Sequence, residues 1–360
     1  MATNLFDSSR QILAHAQVPL AGLIPCFERA AAEGCRSFNL TIAGHPVRVR
    51  VAGSAWADIV AASMGHLRRT DADFQVPALT IDVWDAGETG VDPPQLAEID
   101  LTAPPILMKT SDDGRFVGEE RHHGMTWLDR EGDRIVGFTL AASRLNLDER
   151  ARPFHKMLSA WLEDRGVQFV HSGLITHGGK GILFVGNGGA GKSTSSISCL
   201  RAGMGYLGDD FIGLGLEDGR FVGHGLYASC LLNVHHIKRF PDLQPIAHAP
   251  NYAHEEKFVL YLTEAFPGCL RQRIGVDALV LPRVVDSEVT TFRAATKAAT
   301  LMAIAPTSVM LLPRPNRAAF ERLTRLVETT PSFWLELGRR VDLIPAAVQG
   351  LAESLPRNAP

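Results

Sequence analysis

Residues 181–210, GILFVGNGGAGKSTSSISCLRAGMGYLGDD, contain a glycine-rich segment that matches two phosphate-binding patterns. Gly186 to Gly191 form G-x-G-x-x-G, the fingerprint of dinucleotide sites, where the backbone approaches a pyrophosphate closely. Gly186 to Ser193 form G-x-x-x-x-G-K-S, the P-loop of nucleoside triphosphate sites. The first pattern indicates an oxidoreductase, and the second indicates a phosphoryl-transfer protein.

Lys192 and Ser193 favour the P-loop interpretation. In a P-loop, backbone N–H groups wrap the phosphates, the lysine neutralises the β- and γ-phosphate oxygens, and the next hydroxyl binds Mg²⁺. Dinucleotide binding does not require a lysine and a serine at these two positions. We therefore predict ATP, or another nucleoside triphosphate, and Mg²⁺ as cofactors. The predicted nucleotide-binding residues are Gly186, Asn187, Gly188, Gly189, Ala190, Gly191, Lys192, Ser193 and Thr194.

Asp209 and Asp210 end a short apolar segment, MGYLG, which follows the predicted P-loop helix. A dinucleotide site usually places a single acidic residue on the ribose. Phosphoryl transfer instead uses one carboxylate at the metal ion and another as a base. The acidic pair therefore supports phosphoryl transfer.

The hydrophobic pattern predicts the elements that must position these residues. GILFV, before the glycine-rich segment, predicts a strand, and STSSISCLRAG, after it, predicts a helix that stops near Gly203. VDALVLPRVV is typical of a buried central strand. VQFVHSGLITHGGKGILFVG predicts a strand, a turn and a second strand before the glycine-rich segment. At the end of the chain, RAAFERLTRLVETT predicts a helix, SFWLELG a strand and IPAAVQGLAESL a last helix.

Residues 1–150 contain short helical and strand-like patterns and no chemical motif. They include two predicted hairpins, one around a Gly-His-Pro turn and one with Glu131-Gly132-Asp133 at its tip. Residues 151–166 predict a helix that leads into the second half of the chain. We predict an N-terminal α+β domain over 1–150, for recognition of a substrate or partner, and a P-loop catalytic domain over 151–360.

Composition is typical of a globular protein with a substantial core: 360 residues, 46% hydrophobic and 21% charged. A net charge of −3 without long basic runs argues against a nucleic-acid partner. The five cysteines are scattered, which argues against a disulfide framework and a zinc ribbon. No signal-peptide pattern or apolar run of about 18 residues is present. We therefore expect a cytoplasmic protein without a membrane partner.

VHSGLITHGGKGILFVGNGGAGKSTSSISCLRAGMGYLGDDFIGL resembles the C-terminal domain of the HPr kinase/phosphorylase family. The resemblance covers residues 165–215 at the level of motifs and is looser over the last third of the chain. It implies an α+β or α/β fold of the type shared with PEP carboxykinase, with the P-loop on a mixed or mostly antiparallel sheet. It also implies an ATP- and Mg²⁺-dependent serine kinase. Related proteins occur in peptide-modification systems, so the expected acceptor is a Ser/Thr-type hydroxyl of a peptide or protein, such as a ribosomally made precursor peptide.

The resemblance implies a role for each residue of the motif. Lys192 would lie on the phosphates, and Ser193 and Asp210 would hold Mg²⁺. Asp209 matches the aspartate that deprotonates the acceptor hydroxyl. His171 matches the histidine that lies beside this catalytic aspartate. The predicted catalytic residues are therefore Asp209, His171 and Lys192.

Two further cations are candidates for contact with the phosphates. Lys257 begins an apolar segment after a polar loop, and Arg283 follows the predicted buried strand. Lys257 also fits a surface position at the edge of a strand. The stretch EDGRFVGHGLYASCLLNVHHIKRFPDL lacks the glutamate that the family has before a glycine-rich segment. This difference favours a related kinase with an acceptor other than HPr.

Three other functions remain open. A regulatory protein that binds a nucleotide would keep the P-loop but would not need a base. An enzyme similar to PEP carboxykinase would need further lysine and histidine ligands and an arginine for a carboxylate substrate. A dinucleotide oxidoreductase is the third alternative. A homo-oligomer is also possible, because HPr kinases form rings.

Overall fold

The computed structural model describes residues 10–12, 20–74, 76–94, 106–121, 123–252, 255–310, 312 and 316–356. Contacts divide the chain into two compact units, Met1–Ala61 with Leu67–Trp161 and Ala62–His66 with Leu162–Pro360. The domain functions predicted for residues 1–150 and 151–360 stay predictions.

The α-helices within the described residues are α1 Leu20–Glu33, α2 Ser54–Met64, α3 Ala86–Thr89, α4 Leu147–Ala151, α5 His155–Glu163, α6 Lys192–Arg201, α7 Lys297–Met310, α8 Arg317–Thr329 and α9 Ile344–Ser354. The strands are β1 Arg10–Ile12, β2 Arg36–Ile42, β3 His45–Ala52, β4 Leu79–Asp85, β5 Ile106–Thr110, β6 Phe116–Arg121, β7 Gly124–Asp129, β8 Arg134–Thr139, β9 Gln168–Val170, β10 Ser172–His177, β11 Lys180–Val185, β12 Gly205–Gly208, β13 Ile212–Glu217, β14 Arg220–Gly225, β15 Ser229–Asn233, β16 Ala247–His248, β17 Lys257–Tyr261, β18 Arg273–Val284, β19 Thr291–Ala294 and β20 Ser332–Leu337. None of these helices is long and apolar enough to cross a membrane.

The first unit is built on a mixed sheet with the strand order β1-β5-β6-β7-β8-β4-β3-β2. Val47, Val49 and Val51 of β3 are buried, with the period of two that a strand imposes on its side chains. Leu23 and Phe27 of α1 belong to a hydrophobic cluster with residues of β4 and β8. The apolar face of α1 therefore covers this sheet.

Both hairpins predicted for the first unit are present. β7 and β8 pair antiparallel with Asp129 opposite Arg134, which places the turn at the predicted tip. In the other hairpin the turn falls on Ala43 and Gly44, with φ of 48° and 85°, and His45 already begins β3. This turn therefore precedes the predicted Gly-His-Pro position by one residue.

The helix predicted over residues 151–166 is shorter in the structure. Phe154 has a φ of 62°, which an α-helix does not accommodate, and α5 begins directly after it. The preceding residues instead form α4, which ends at Ala151.

The second unit contains a nine-stranded mixed sheet with the order β12-β10-β11-β18-β14-β13-β9, extended by β20 and β19 beside β18. β11 pairs antiparallel with β10 and parallel with β18. The strand before the P-loop and the buried strand predicted from VDALVLPRVV are therefore neighbours. The described residues form a mixed α+β structure, as the sequence predicts.

Both faces of this sheet are covered by helices. Ile182 and Phe184 of β11 point into one hydrophobic cluster, which includes side chains of α6 and α9. Leu183 and Val185 point into another, which includes side chains of α7 and α8. A smaller sheet, β15-β17-β16, contributes Cys230 to the cluster on the α6 side. The glycine-rich segment therefore joins a strand that is buried on both faces to a helix packed on one of them.

Candidate functional site

The glycine-rich segment connects β11 to α6. Gly189 and Gly191 have φ of 80° and 107°, in the region that favours glycine. A Cβ at Gly191 would also lie 2.4 Å from Leu337 Cδ1, so the leucine side chain would have to move. Helix α6 begins at Lys192, so the N–H groups of its first turn face the loop. These groups and the helix dipole favour an anion at this position.

Lys192 is buried and folds back across the loop. Its ammonium group donates hydrogen bonds to the carbonyl oxygens of Gly186, at 2.7 Å, and Asn187, at 3.3 Å. Burial lowers the pKa of Lys192, and the charges of Asp209 and Asp210 oppose this change by raising it. Both aspartates therefore lie within electrostatic range of the P-loop lysine.

Asp209 directly follows β12 and is only 5% exposed. Its Oδ2 accepts a hydrogen bond from the Cys230 thiol, with the sulfur 3.4 Å away. Its Oδ1 is buried and has no hydrogen-bond partner among the described residues. Burial raises the pKa of Asp209, and the charge of Asp210 raises it further. The Ser193 hydroxyl and the Lys192 ammonium lower this pKa, so both act on the Asp209 carboxylate.

Asp210 lies beside His171. The Oδ1 atom of Asp210 is 3.1 Å from His171 Nε2. Because an ionised carboxylate only accepts hydrogen bonds, Nε2 carries the proton in this contact. The ring of His171 stacks on Phe211, with centroids 5.8 Å apart, and its backbone N–H donates to Ser308 Oγ. These contacts orient the imidazole toward the carboxylate.

The contacts within the acidic pair differ from the predicted arrangement. The sequence predicts His171 beside Asp209 and Ser193 with Asp210. In the structure His171 contacts Asp210, and Ser193 acts on Asp209. Asp210 has a φ of 78°, rare for a residue with a side chain, and this turn directs the two carboxylates to different neighbours.

The two additional cations lie in different surroundings. Lys257 is exposed at the start of β17, opposite Asn233, and its charge lowers the pKa of Lys192. Arg283 forms an ion pair with Glu336 and lies 4.8 Å from the centre of the Trp334 ring.

Strand alternation explains the position of Arg283. The preceding residue, Pro282, faces the P-loop, where its Cβ would be 3.6 Å from a Cβ at Gly191. Successive side chains of a strand point to opposite faces, so Arg283 points away from the loop. Its predicted contact with phosphate therefore receives no support from this geometry.

Three residues near Asp209 were not predicted from the sequence: Cys230, Ser196 and Gly173. Ser196 Oγ is buried and lacks a hydrogen-bond partner in the described part of the chain. A Cβ at Gly173 would collide with this oxygen and lie 3.3 Å from Asp209 Oδ1. Ser193 was predicted because it directly follows Lys192 in the sequence. Cys230, Ser196 and Gly173 have no such local pattern, because their proximity to Asp209 joins segments that are distant in the sequence.

The donor atoms at the site fit a magnesium ion. The described residues contain no cluster of three or more His, Cys, Asp or Glu side chains suited to a metal. Mg²⁺, however, is commonly held by one or two carboxylates together with substrate phosphates and water. Asp209 supplies a buried carboxylate oxygen without a hydrogen bond from the described residues, and Ser193 supplies a hydroxyl that acts on the same carboxylate.

Comparisons with known proteins give a limited result. No family model and no curated protein matches the chain. Among solved structures, the Hpr(Ser) kinase/phosphatase from Coxiella burnetii is similar over 51% of this chain and 90% of that chain, with 14% identity and a TM-score of 0.31. The structural similarity is therefore distant.

Proposed function

We propose that this protein transfers the γ-phosphate of ATP, with Mg²⁺, to a hydroxyl group of a peptide or protein. The supporting observation is the arrangement of two adjacent carboxylates near the buried Lys192: Asp209 has an oxygen without a hydrogen bond from the described residues, and Asp210 contacts His171 at 3.1 Å. A protein that only binds a nucleotide does not need two carboxylates here. Phosphoryl transfer needs one near the metal ion and one near the acceptor.

Lys192 and the loop bind the phosphates in this proposal. The ammonium group would exchange the carbonyl oxygens of Gly186 and Asn187 for phosphate oxygens when the nucleotide enters. Stabilisation of the charge on the transferring group is usually the largest contribution to catalysis in such reactions. The exposed Lys257 is a second candidate for phosphate contact, because its charge already acts on Lys192.

Asp209 and Ser193 would hold the magnesium ion. Ser193 follows Lys192 at the start of α6, and the Ser193 hydroxyl and the Lys192 charge both act on the Asp209 carboxylate. When bound, the ion neutralises charge on the β- and γ-phosphates. This assignment exchanges the two aspartates relative to the sequence-based expectation.

Asp210 would accept the proton of the acceptor hydroxyl. His171 holds its Oδ1 at 3.1 Å, and the side chain of Asp210 is 13% exposed, so the pair is more accessible than Asp209. The hydroxyl oxygen forms the new bond to the γ-phosphorus, its proton moves to Asp210, and ADP leaves. We propose a Ser or Thr residue as the source of this hydroxyl.

A first experiment measures nucleotide binding and phosphate transfer by the full chain. Lys192→Ala should weaken ATP·Mg²⁺ binding at least 100-fold, because it removes the charge that meets the phosphates, whereas the exposed Lys238→Ala should not. Transfer is followed with ATP labelled at the γ-phosphate and a library of serine and threonine peptides. Tighter binding of NAD⁺ than of ATP·Mg²⁺ would contradict the proposal.

The same assay separates the two aspartates. Asp210→Asn should reduce transfer by about 10²–10⁴-fold, the contribution of a general base, and leave ATP affinity within about threefold. Asp218→Asn is a matched control, because Asp218 is exposed and also has a positive φ, 47°. Full transfer by the Asp210→Asn variant would assign the proton acceptor to another residue.

A further inference from the structure

Two buried cysteines of the second unit have different surroundings. Cys199 on α6 and Cys230 on β15 belong to the same hydrophobic cluster and are 0% and 1% exposed. Both residues carry free thiols. Cys230 differs because its thiol contacts a carboxylate, Asp209 Oδ2, at 3.4 Å. Cys199 therefore serves as an internal reference for a cysteine that only packs.

The contact of Cys230 is directional. A protonated thiol can donate one hydrogen bond, and an ionised carboxylate can only accept one. A bond to a charged acceptor is stronger than one between neutral groups. The thiol donates to Asp209 Oδ2, and the Ser193 hydroxyl also acts on the same carboxylate. Removal of the thiol therefore leaves this oxygen without that donor.

The opposite side of the Asp209 carboxylate is closely packed. A Cβ at Gly173 would lie 3.3 Å from Oδ1 and would collide with Ser196 Oγ. Gly173, on β10, thus leaves space that a larger residue would fill. The backbone at Gly173 therefore restricts the position of Oδ1, and the Cys230 thiol holds Oδ2 by a hydrogen bond.

We propose that Cys230 is a positioning residue for Asp209, whose carboxylate it holds toward Ser193 and Lys192 through the hydrogen bond to Oδ2. The inference rests on the proposed function, in which Asp209 and Ser193 hold Mg²⁺. Cys230 itself does not touch the substrate. Residues that support a metal ligand in this way commonly contribute 10- to 100-fold to metal affinity or activity.

The test compares the two cysteines in the full chain. Cys230→Ala and Cys199→Ala remove the same atoms from the same cluster, and Cys230→Ser restores a donor at the position of interest. ATP affinity is measured by calorimetry with Mg²⁺ and with EDTA, and kcat and KM are measured separately. We expect Cys230→Ala to reduce the gain in ATP affinity that Mg²⁺ provides by about tenfold, with little change in EDTA. Cys230→Ser should recover to within about threefold of the wild type, and Cys199→Ala should match the wild type.

The outcomes separate the inference from the function on which it rests. A wild-type chain that does not bind ATP·Mg²⁺ overturns the proposed function and the inference with it. A wild-type chain that binds, with equal effects of Cys230→Ala and Cys199→Ala, overturns only the inference. Failure of Cys230→Ser to recover at an unchanged melting temperature also overturns it, because the position then contributes packing alone.

Discussion

The two units surround buried carboxylates in different ways. In the first unit, Asp82 is fully buried, and both of its oxygens accept hydrogen bonds from guanidinium groups. Arg50 Nε donates to Oδ1 at 2.7 Å, and Arg134 donates to Oδ2 at 2.9 and 2.6 Å. In the second unit, Asp209 has a thiol on Oδ2 and, among the described residues, no hydrogen bond on Oδ1.

The two carboxylates also differ in how burial and neighbouring charges act on them. The hydrogen bond and charge of Asp82 raise the pKa of Arg50, so the carboxylate stabilises the guanidinium charge. At the P-loop, burial acts against both charges, because it raises the pKa of Asp209 and lowers that of Lys192. Buried polar groups in native proteins are normally paired, and incompletely paired titratable groups are concentrated at functional sites. We therefore propose that the charges of Lys192 and Asp209 are arranged for a ligand, whereas the Asp82 charges are arranged for the fold.

Asp82→Asn should show the largest effect on stability. The substitution keeps the shape of the side chain but removes the charge that Arg50 and Arg134 share. Breaking a buried ion pair costs about 3–5 kcal/mol. Because the arginines are partly exposed, we expect the free energy of unfolding to fall by about 3 kcal/mol. Urea unfolding, with hydrogen exchange in β4 as the local measurement, checks this value. The exposed Asp218→Asn is the control, and an equal effect of both variants would remove the contrast between the units.

The sequence-based prediction of the candidate site rests on local signals. The glycines, Lys192 and Ser193 lie on one continuous turn, and the apolar run before them requires a buried strand. The acidic pair was also predicted, because it ends a recognisable strand. The neighbours of Asp209 and Asp210 depend on a positive φ and on the packing of β10 and β15. Nothing in the local pattern encodes these features, so Cys230 was missed and the contacts of the pair were predicted in the other order.

Arg283 and the first hairpin show the same limit on a smaller scale. The strand that contains Arg283 was predicted, but the face to which its side chain points depends on the register with β20, where Arg283 pairs with Glu336. In the hairpin, Gly44 can adopt a positive φ more readily than the proline that follows, so the turn moves one residue toward the N-terminus. In both cases the element was predicted, and the difference arose from side-chain direction or turn geometry.

His66 is another buried titratable side chain, and it should make the stability of the fold depend on pH. Both ring nitrogens are buried and lack hydrogen bonds from the described residues, and burial lowers the pKa of His66 to about 4. A histidine with a lowered pKa stabilises the fold above its unfolded pKa of about 6.5, and this contribution is lost as the pH falls. Between pH 6.5 and pH 5 the wild type should lose about 2 kcal/mol through this group. His66→Leu should remove that loss in urea titrations, whereas a pH dependence equal to that of the exposed His235→Gln would contradict it.

Asp209→Asn should have the smallest effect, and its sign should be opposite to that of Asp82→Asn. Because the pKa of Asp209 is raised in the folded chain, its ionised form destabilises the fold, and stability falls as the pH rises through that pKa. The amide has no charge, so at neutral pH the variant should melt a few °C higher than the wild type, the shift that about 1 kcal/mol produces in a protein of this size. The advantage should shrink as the pH falls below the folded pKa and vanish below the unfolded pKa of about 3.9, where Asp209 is protonated in both states. A lower melting temperature at neutral pH would mean that Lys192 and Cys230 compensate the buried charge, and Asp209 would then belong with Asp82 among the structural charges.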